Sequence, residues 1–246
     1  NFRRELNMKE GVYHRSFEAT LPNGTEIAVQ VSRFLSLDID ELGVINYNIT
    51  PLNGDAKIVF KPYVDAGVHN EDANWEEKFW EPIAVQQADN SGFVTARTFK
   101  THFTATTFMH NTLLLAGQKM TVSSAIVAKT TDKIQYAYEL AVAKGQTASL
   151  QKLGGYTVSL NHENTIKAAK EVIAKAEELG YAQLLQMQQV AWAKIWEMSD
   201  ITIDGDVKGW CADDTPARFR AYGWNVIGPI DGHDVAAVGQ AKIGRA

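Results

Sequence analysis

The chain has 246 residues, of which 45% are hydrophobic and 22% charged, values typical of a soluble globular protein with a sizeable core. Its net charge of −5, without a basic cluster, argues against nucleic-acid binding, and the absence of an apolar run of about 18 residues argues against a membrane span. Cys211 is the single cysteine, which excludes an internal disulfide and favours a reducing, cytoplasmic location.

Residues 8–160 have the pattern of short β-strands. Leu21-Pro22-Asn23-Gly24 predicts a tight turn, because Asn-Gly readily adopts the positive φ that hairpins need. Ile45, Tyr47 and Ile49 alternate with polar residues, which predicts a strand with one wet face. Pro62 indicates a sheet edge or a bulge. The predicted strands in this first part are Val12–Thr20, Glu26–Leu37, Val44–Leu52 and Lys57–Val64.

Residues 65–92 interrupt this pattern of short strands and are predicted to form a long polar loop that carries aromatic and acidic side chains. Strand signals return at Phe93–Met109, Lys119–Lys129, Ile134–Ala143 and Ala148–Leu160. The Ile134–Ala143 segment also contains good helix formers, and we interpret it as a strand because Lys144-Gly145 is typical of a turn. Many short strands predict a β-sandwich or barrel.

From residue 164 onward, apolar side chains recur every three to four residues, which is the spacing of an α-helix. Asn164–Leu179 and Tyr181–Met198 are predicted as a helix pair, separated by Gly180. Residues 199–246 are rich in glycine and predict a short irregular tail of α/β type. The fold class is therefore mainly β, with a sandwich at 1–160, a helix pair at 161–200 and a tail at 201–246 that is not an independent domain.

Five segments of residues 1–207 resemble the N-terminal region of glycoside hydrolase family 65, and maltose phosphorylases in particular. The first two are Asn-Met-Lys-Glu-Gly-Val-Tyr-His-Arg at 7–15 and Arg-Phe-Leu-Ser at 33–36. The others are Ile-Thr-Pro-Leu at 49–52, Asn-Glu-Asp-Ala-Asn-Trp with Lys-Phe-Trp at 70–80, and Ala-Trp-Ala-Lys-Ile-Trp-Glu at 191–197.

This resemblance implies a β-sandwich, incomplete at its N-terminus, whose helices lead into an (α/α)6 barrel. It further implies a homodimeric parent enzyme that splits maltose with phosphate, by inversion, into β-glucose 1-phosphate and glucose. The family's general-acid Glu and its phosphate site lie in the barrel, which would be the missing partner of this chain. The resemblance therefore implies no catalytic residue here and no activity of the chain alone.

Residues 201–238 resemble a different family, the transketolases. The match runs through Ile-Asp-Gly-Asp-Val-Lys-Gly-Trp at 203–210 and Ala-Tyr-Gly-Trp at 221–224 to Ile-Asp-Gly-His-Asp at 230–234. It implies that His233 lies beside thiamine diphosphate. The Gly-Asp-Gly cofactor motif is missing, and Ser199 stands where the family has a metal-binding Asn. Thiamine diphosphate and Mg²⁺ are therefore expected only if the tail is functional, and we interpret the chain as a chimera.

Other candidate sites have plainer explanations. Glu76, Glu77 and Glu81, beside Trp75, Phe79 and Trp80, could form a carbohydrate-binding loop, and a solvated loop with anchoring aromatics is the alternative. Trp192 and Trp196 share one helix face, which fits a sugar platform or, more simply, packing. The histidines are scattered, so no metal site is predicted. Three hypotheses remain: an inert sandwich domain of a phosphorylase, a carbohydrate-binding module for maltose or a related α-glucoside, and a thiamine-diphosphate enzyme fragment.

Overall fold

The structure is a computed structural model that describes residues 1–68, 78–121, 126–198, 214–223 and 226. The chain divides into two compact units, Asn1–Ile195 and Trp196–Ala246. The second unit contributes helix α2 (Thr215–Ala221), whose first turn is capped by Asp214 Oδ1, which accepts a hydrogen bond from the Ala217 amide at 2.9 Å. Apart from residues 222, 223 and 226, the rest of the predicted tail lies outside the described residues. The predicted boundaries at residues 160 and 200 stay predictions.

The first unit is built on two antiparallel sheets. In the large sheet the order is β1-β2-β3-β4-β13-β9-β8-β7, with β10 paired to β9, and in the small sheet it is β11-β12-β5, with β6 paired to β12. The strands are β1 (Phe2–Asn7), β2 (Val12–Thr20), β3 (Glu26–Leu35), β4 (Leu42–Pro51), β5 (Ala56–Phe60), β6 (Tyr63–Asp65), β7 (Trp80–Ala88), β8 (Ser91–Thr98), β9 (Thr104–Leu115), β10 (Gln118–Met120), β11 (Ile126–Lys129), β12 (Lys133–Val142) and β13 (Ala148–Val158).

The turn at residues 21–24 joins β2 and β3 as a hairpin, as predicted. Gly24 has a φ of 82°, a conformation that side-chain-bearing residues rarely adopt. Its amide donates to the Leu21 carbonyl at 2.8 Å, and the Leu21 amide donates to the Thr25 carbonyl at 2.8 Å. Pro62 lies between β5 and β6, so the strand predicted over Lys57–Val64 is divided into two, both of which pair with β12.

The two sheets enclose a first hydrophobic core, called here the sandwich core. Tyr136 and Tyr138 stack at its centre with ring centroids 5.7 Å apart, and the Tyr136 hydroxyl donates to the Ser91 carbonyl at 2.6 Å. Burial raises the pKa of Tyr138 to about 12 and raises the pKa of Tyr136 as well. The sandwich core comprises Ile58, Phe60, Val64, Val94, Met109, Leu113, Ile134, Tyr136, Tyr138, Leu140, Val142, Ala148 and Leu150.

The predicted loop over residues 65–92 is wrong in its second half, because β7 occupies Trp80–Ala88. This strand forms the edge of the large sheet and carries exposed polar side chains, so it lacks a hydrophobic alternation. A register shift between Pro82 and Ala84 disturbs its pattern further. The ambiguous segment at 134–143 is confirmed as a strand, since β12 lies between two partners in the small sheet.

The predicted helix pair is confirmed as α1 (Thr165–Met198), whose helical path breaks at Gly180, with φ 71° and ψ 166°. Helix α1 covers the outer face of the large sheet and creates a second core, called here the helix core. Its buried members are Val12, Phe34, Ile39, Leu42, Val44, Phe93, Phe108, Leu153, Ala169, Ile173, Ala176 and Leu184. The mainly β fold class, a sandwich followed by a helix pair, is thereby confirmed.

The helix core also corrects the prediction for β4. Its polar face was expected to be wet, yet Leu42 and Val44 on that face are buried beneath α1, and Asn46, Asn48 and Thr50 are half-buried. Helix α1 is amphipathic rather than apolar throughout, and no helix of the described ranges is long and apolar enough to cross a membrane.

Candidate functional site

The start of α1 is fixed to the large sheet by a ladder of threonine hydroxyls. Thr95 and Thr106 Oγ1 atoms lie 2.8 Å apart, and Thr106 and Thr165 Oγ1 atoms lie 2.7 Å apart. The Thr157 hydroxyl donates to the Thr165 carbonyl at 2.7 Å. Because all four threonines are buried, their mutual bonds satisfy groups that water cannot reach. Asn164 Oδ1 caps the helix by accepting the Lys167 amide at 2.9 Å.

The end of the first half of α1 is joined to the sheet through His110. Its Nδ1 lies 2.8 Å from Ser91 Oγ, and its Nε2 lies 3.0 Å from Glu177 Oε1 on α1. Lys119 Nζ lies 3.8 Å from the same Glu177 oxygen. Burial lowers the pKa of His110, against the opposing pull of Glu177. A neutral His110 therefore donates from Nε2 to the carboxylate and accepts the Ser91 proton at Nδ1.

Ser91, His110 and Glu177 have the composition and hydrogen-bond direction of a nucleophilic triad. A nucleophile must reach a substrate carbonyl, yet Ser91 is only 8% exposed, and its own carbonyl is held by the Tyr136 hydroxyl. The three side chains therefore have a structural role, because their hydrogen bonds link β8, β9 and α1. Sequence reasoning missed it because 67 residues separate His110 from Glu177 and no local motif joins them.

The second half of α1 is attached to the large sheet through Gln188, which is 1% exposed. Its Oε1 accepts the Leu37 amide at 3.0 Å, and its Nε2 donates to the Gly11 carbonyl at 3.2 Å. One amide side chain thus joins α1 to two turns, whose bonded residues precede Gln188 by 151 and 177 positions. Tyr181 adds a third attachment, with its hydroxyl 2.6 Å from Ser32 Oγ.

Trp192 packs against the turn that contains Gly11. A Cβ atom built on Gly11 would lie 1.7 Å from the indole Nε1, so only glycine lets the ring approach the backbone this closely. Gly11 also has a φ of 64°. The structure therefore gives Trp192 a packing role on the β1–β2 turn. Trp196, its partner on the predicted face, belongs to the second unit and is half-buried.

An open groove of about 310 Å³ runs beside the second half of α1. Among the described residues its lining mixes polar and aliphatic side chains without an aromatic ring: Asp38, Gln183, Gln186, Met187, Val190, Ala191 and Lys194. Val190 is half exposed there.

Several residues predicted as site candidates do not converge in the structure. Glu81 lies on β7 and pairs with Arg97, whose Nε donates at 3.1 Å. Trp80 Nε1 donates to the Ala66 carbonyl at 3.1 Å, and Phe79 is exposed. Trp75, Glu76, Glu77 and His233 lie outside the described residues. Within the ranges that the structure covers, no three His, Cys, Asp or Glu side chains converge as a metal site would require.

Comparisons with known proteins give the same architecture. Residues 1–195 match the model of the glycosyl hydrolase family 65 N-terminal domain. The chain is 35% identical over 211 residues to a maltose phosphorylase of Bacillus subtilis, and 28% identical over 215 residues to an α,α-trehalose phosphorylase of Thermoanaerobacter brockii. Each alignment covers 83% of this chain and 27% of the relative, so the chain spans about a quarter of the length of these enzymes.

A solved structure named "Putative kojibiose phosphorylase from human microbiome" superposes with a TM-score of 0.68 at 20% identity, over 83% of this chain and 26% of that one, and shares the fold. A shorter alignment of 46 residues, 19% of this chain, is 56% identical to Transketolase 2 of Aliivibrio fischeri and covers 7% of it. The family match spans most of the chain and coincides with the sandwich and α1. The chain belongs to glycosyl hydrolase family 65, through the N-terminal domain of that family.

Proposed function

We propose that this chain is the non-catalytic sandwich domain of a maltose-phosphorylase-type enzyme. The parent reaction would be inverting phosphorolysis of maltose to β-glucose 1-phosphate and glucose, carried out by a homodimer in the cytoplasm. In that enzyme the domain supports the catalytic barrel and fixes the direction in which the chain enters it. The identity of 35% to the Bacillus subtilis maltose phosphorylase supports the choice of maltose over trehalose.

The observation that carries the proposal is the double attachment of the second half of α1. Gln188 joins it to two turns of the sandwich, and Trp192 rests on Gly11 in one of them. A helix held this firmly near its end transmits its orientation to whatever follows. This is what a domain needs if it is to position a partner within the narrow tolerance of an active site.

The distribution of carboxyl groups supports the absence of catalysis in this domain. Inverting cleavage of a glycosidic bond needs a general acid at the leaving oxygen, facing the group that attacks from the other side. Of the residues that the structure describes, one acid, Asp38, lines the groove beside α1, and one acid, Glu18, lines a second groove beside Phe2 and Phe17. Neither groove brings two carboxyl groups together. The purified chain is expected to release no glucose 1-phosphate from maltose and phosphate.

A graft tests the supporting role directly. Residues 1–195 replace the matching region of the Bacillus subtilis maltose phosphorylase, and the graft is expected to keep phosphate-dependent cleavage of maltose. In the graft, Gln188→Leu is expected to lower kcat/KM by roughly tenfold, because misplacing catalytic groups by about 1 Å is costly. Gln87→Leu, at an exposed position on β7, is the matched control and should leave kcat/KM unchanged.

The graft also separates the maltose assignment from the family assignment. A parallel graft into the trehalose phosphorylase of Thermoanaerobacter brockii is expected to be the weaker of the two. Activity in the trehalose scaffold alone would contradict the maltose assignment. Inactivity of both grafts, each folded by circular dichroism, would contradict the supporting role.

A carbohydrate-binding module remains the second candidate function. Sugar-binding surfaces use aromatic rings on which the sugar stacks, and the groove beside α1 has none. Titration with maltose up to millimolar concentration, followed by tryptophan fluorescence, is expected to give no saturable change. A saturable change would favour the module.

For the tail we propose no function of its own: the transketolase-like segment over residues 201–238 would be joined to the sandwich as a chimera. The short match to Transketolase 2 supports this interpretation. Limited proteolysis read by mass spectrometry is expected to remove residues beyond about 200 and leave a resistant remainder. Thiamine diphosphate binding that depends on His233, and is lost in His233→Ala, would contradict it.

A further inference from the structure

The side of β13 that faces the small sheet runs from the sandwich core out into solvent. Every second residue points to this side, and successive side chains become more exposed along the strand. Leu150 is 8% exposed, Lys152 is half-buried, and Tyr156 is 62% exposed. Gly154 lies between the last two and contributes no side chain. Lys152 therefore lies at the rim of the sandwich core, between apolar packing and water.

The amine of Lys152 is held by a backbone group of the opposite sheet. Its Nζ donates to the Tyr63 carbonyl on β6 at 2.9 Å. Two residues further along β6, Asp65 instead binds Lys133, with Oδ2 3.2 Å from Nζ. Within the part of the chain that the structure describes, Lys152 forms no ion pair with a carboxylate. The charged form of Lys152 therefore lacks the stabilisation that Lys133 receives.

Burial lowers the pKa of the Lys152 amine from its ordinary value. An ordinary lysine has a pKa of about 10.4, so roughly one molecule in 2,500 is neutral at pH 7. Each unit by which the pKa falls makes the neutral amine about tenfold more abundant. Only the neutral amine has a free electron pair, and the bond to Tyr63 uses one of its N–H groups and leaves that pair available. Lys152 is therefore a nucleophile at neutral pH.

The space beside the amine admits a small molecule. A Cβ atom built on Gly154 would lie 3.5 Å from the Phe108 carbonyl oxygen and 3.8 Å from Lys152 Cε. These are ordinary contact distances, and no other described atom lies within 4 Å of that position. A reagent of two or three carbon atoms can therefore reach Nζ along the flank of the lysine that lies over Gly154.

We propose that Lys152 is a site of covalent modification by small aldehydes, the chemical class that includes the open-chain form of reducing sugars. The neutral amine attacks the carbonyl carbon and forms a C–N bond. The electron pair of the C=O bond goes to the oxygen, which takes up the proton that the nitrogen loses. The carbinolamine then expels its hydroxyl group, which leaves as water with the second proton of the nitrogen, and a C=N bond remains.

The test compares the rates at which individual lysines of the native chain react. Glycolaldehyde is the probe, sodium cyanoborohydride reduces each imine to a stable secondary amine, and peptide mass spectrometry measures each site. At neutral pH, Lys152 is expected to react at least about tenfold faster than Lys144, which is exposed. The rate at Lys152 is also expected to level off at a lower pH than the rate at Lys144, which greater accessibility alone would not produce. In concentrated urea the two rates should become equal.

A charge placed beside the amine gives a second readout. Gly154→Glu puts a carboxylate on the same side of β13, where it favours the ammonium form of Lys152. The rate at Lys152 is expected to be at least about tenfold lower in this variant than in Gly154→Gln, the matched control of the same shape without the charge. A Cβ at residue 154 makes only ordinary contacts, so both variants are expected to fold, which circular dichroism verifies.

Three results would overturn the proposal. The first is a rate at Lys152 that is no higher than the rate at Lys144 in the native chain. The second is an excess rate at Lys152 that persists in concentrated urea, because it would then come from the neighbouring sequence rather than from the fold. The third is an equal rate at Lys152 in the folded Gly154→Glu and Gly154→Gln variants, which would mean that the charge state of the amine does not control its reaction.

Discussion

The sandwich core and the helix core share the large sheet but are built differently. Between the sheets, aliphatic and aromatic side chains interdigitate, and the Tyr136 hydroxyl is bonded within the same layer. Under α1 the apolar contacts are interspersed with polar attachments made by Thr165, His110 and Gln188. Apolar packing stabilises the folded chain but does not depend on a particular orientation of the helix. Buried hydrogen bonds do depend on it, so they fix one orientation. The helix core is therefore the part of the molecule that specifies geometry.

The largest expected effect comes from removing apolar volume from the helix core. Phe108→Ala empties a site that is fully buried between the sheet and α1, and it is expected to destabilise the chain by about 3–5 kcal/mol in urea unfolding. Hydrogen exchange should show faster exchange of α1 amides. Phe99→Ala, at an exposed position, is the control, with an expected change within about 0.5 kcal/mol. Equal effects of the two variants would contradict the assignment of the helix core.

The second effect concerns the orientation of α1 rather than the apolar volume buried beneath it. Gln188→Leu leaves the Leu37 amide and the Gly11 carbonyl, both partly buried, without their partner, at a cost of at most about 1–3 kcal/mol for each group. Hydrogen exchange is expected to accelerate in residues 181–195 and to stay slow in β12. Uniform acceleration in both segments would mean that Gln188 stabilises the whole domain rather than the helix alone.

A third prediction tests the break in α1. Gly180 has space around it, so Gly180→Ala meets no atom, but its φ of 71° and ψ of 166° are unfavourable for any residue with a Cβ. The substitution is expected to destabilise the chain by about 1–3 kcal/mol. Gly54→Ala, which also meets no atom and has no positive φ, is the control. A stabilised Gly180→Ala variant would show that the two halves of α1 tolerate a continuous helix.

The smallest effect is a dependence on pH. The folded chain holds the pKa of His110 below the ordinary value of 6.5, because burial disfavours the imidazolium. Below pH 6.5 the unfolded chain therefore binds more protons, so the stability is complete above that pH and falls as the pH decreases. His110→Gln is expected to flatten this slope, and His14→Gln, at an exposed position, to leave it intact. A slope that survives in His110→Gln would contradict this origin.

The sequence by itself determined the features that depend on near neighbours. Asn23-Gly24 specified a hairpin because Gly24 alone tolerates the required φ, and Gly180 ended the first half of α1 for a related reason. Alternating side chains located most strands, and the family motifs, Trp192 among them, identified the domain.

Tertiary structure decided what depends on residues far apart in the chain. Strand β7 is held by pairing with β8 rather than by its own pattern, so it was predicted as a loop. The burial of Leu42 and Val44 depends on α1, which lies more than a hundred residues later. The attachment of His110 to Glu177 and the alignment of Arg4 with Arg15 follow from packing and register. Local periodicity carries no information about such pairings, because they arise only when the sheet and the helix are assembled.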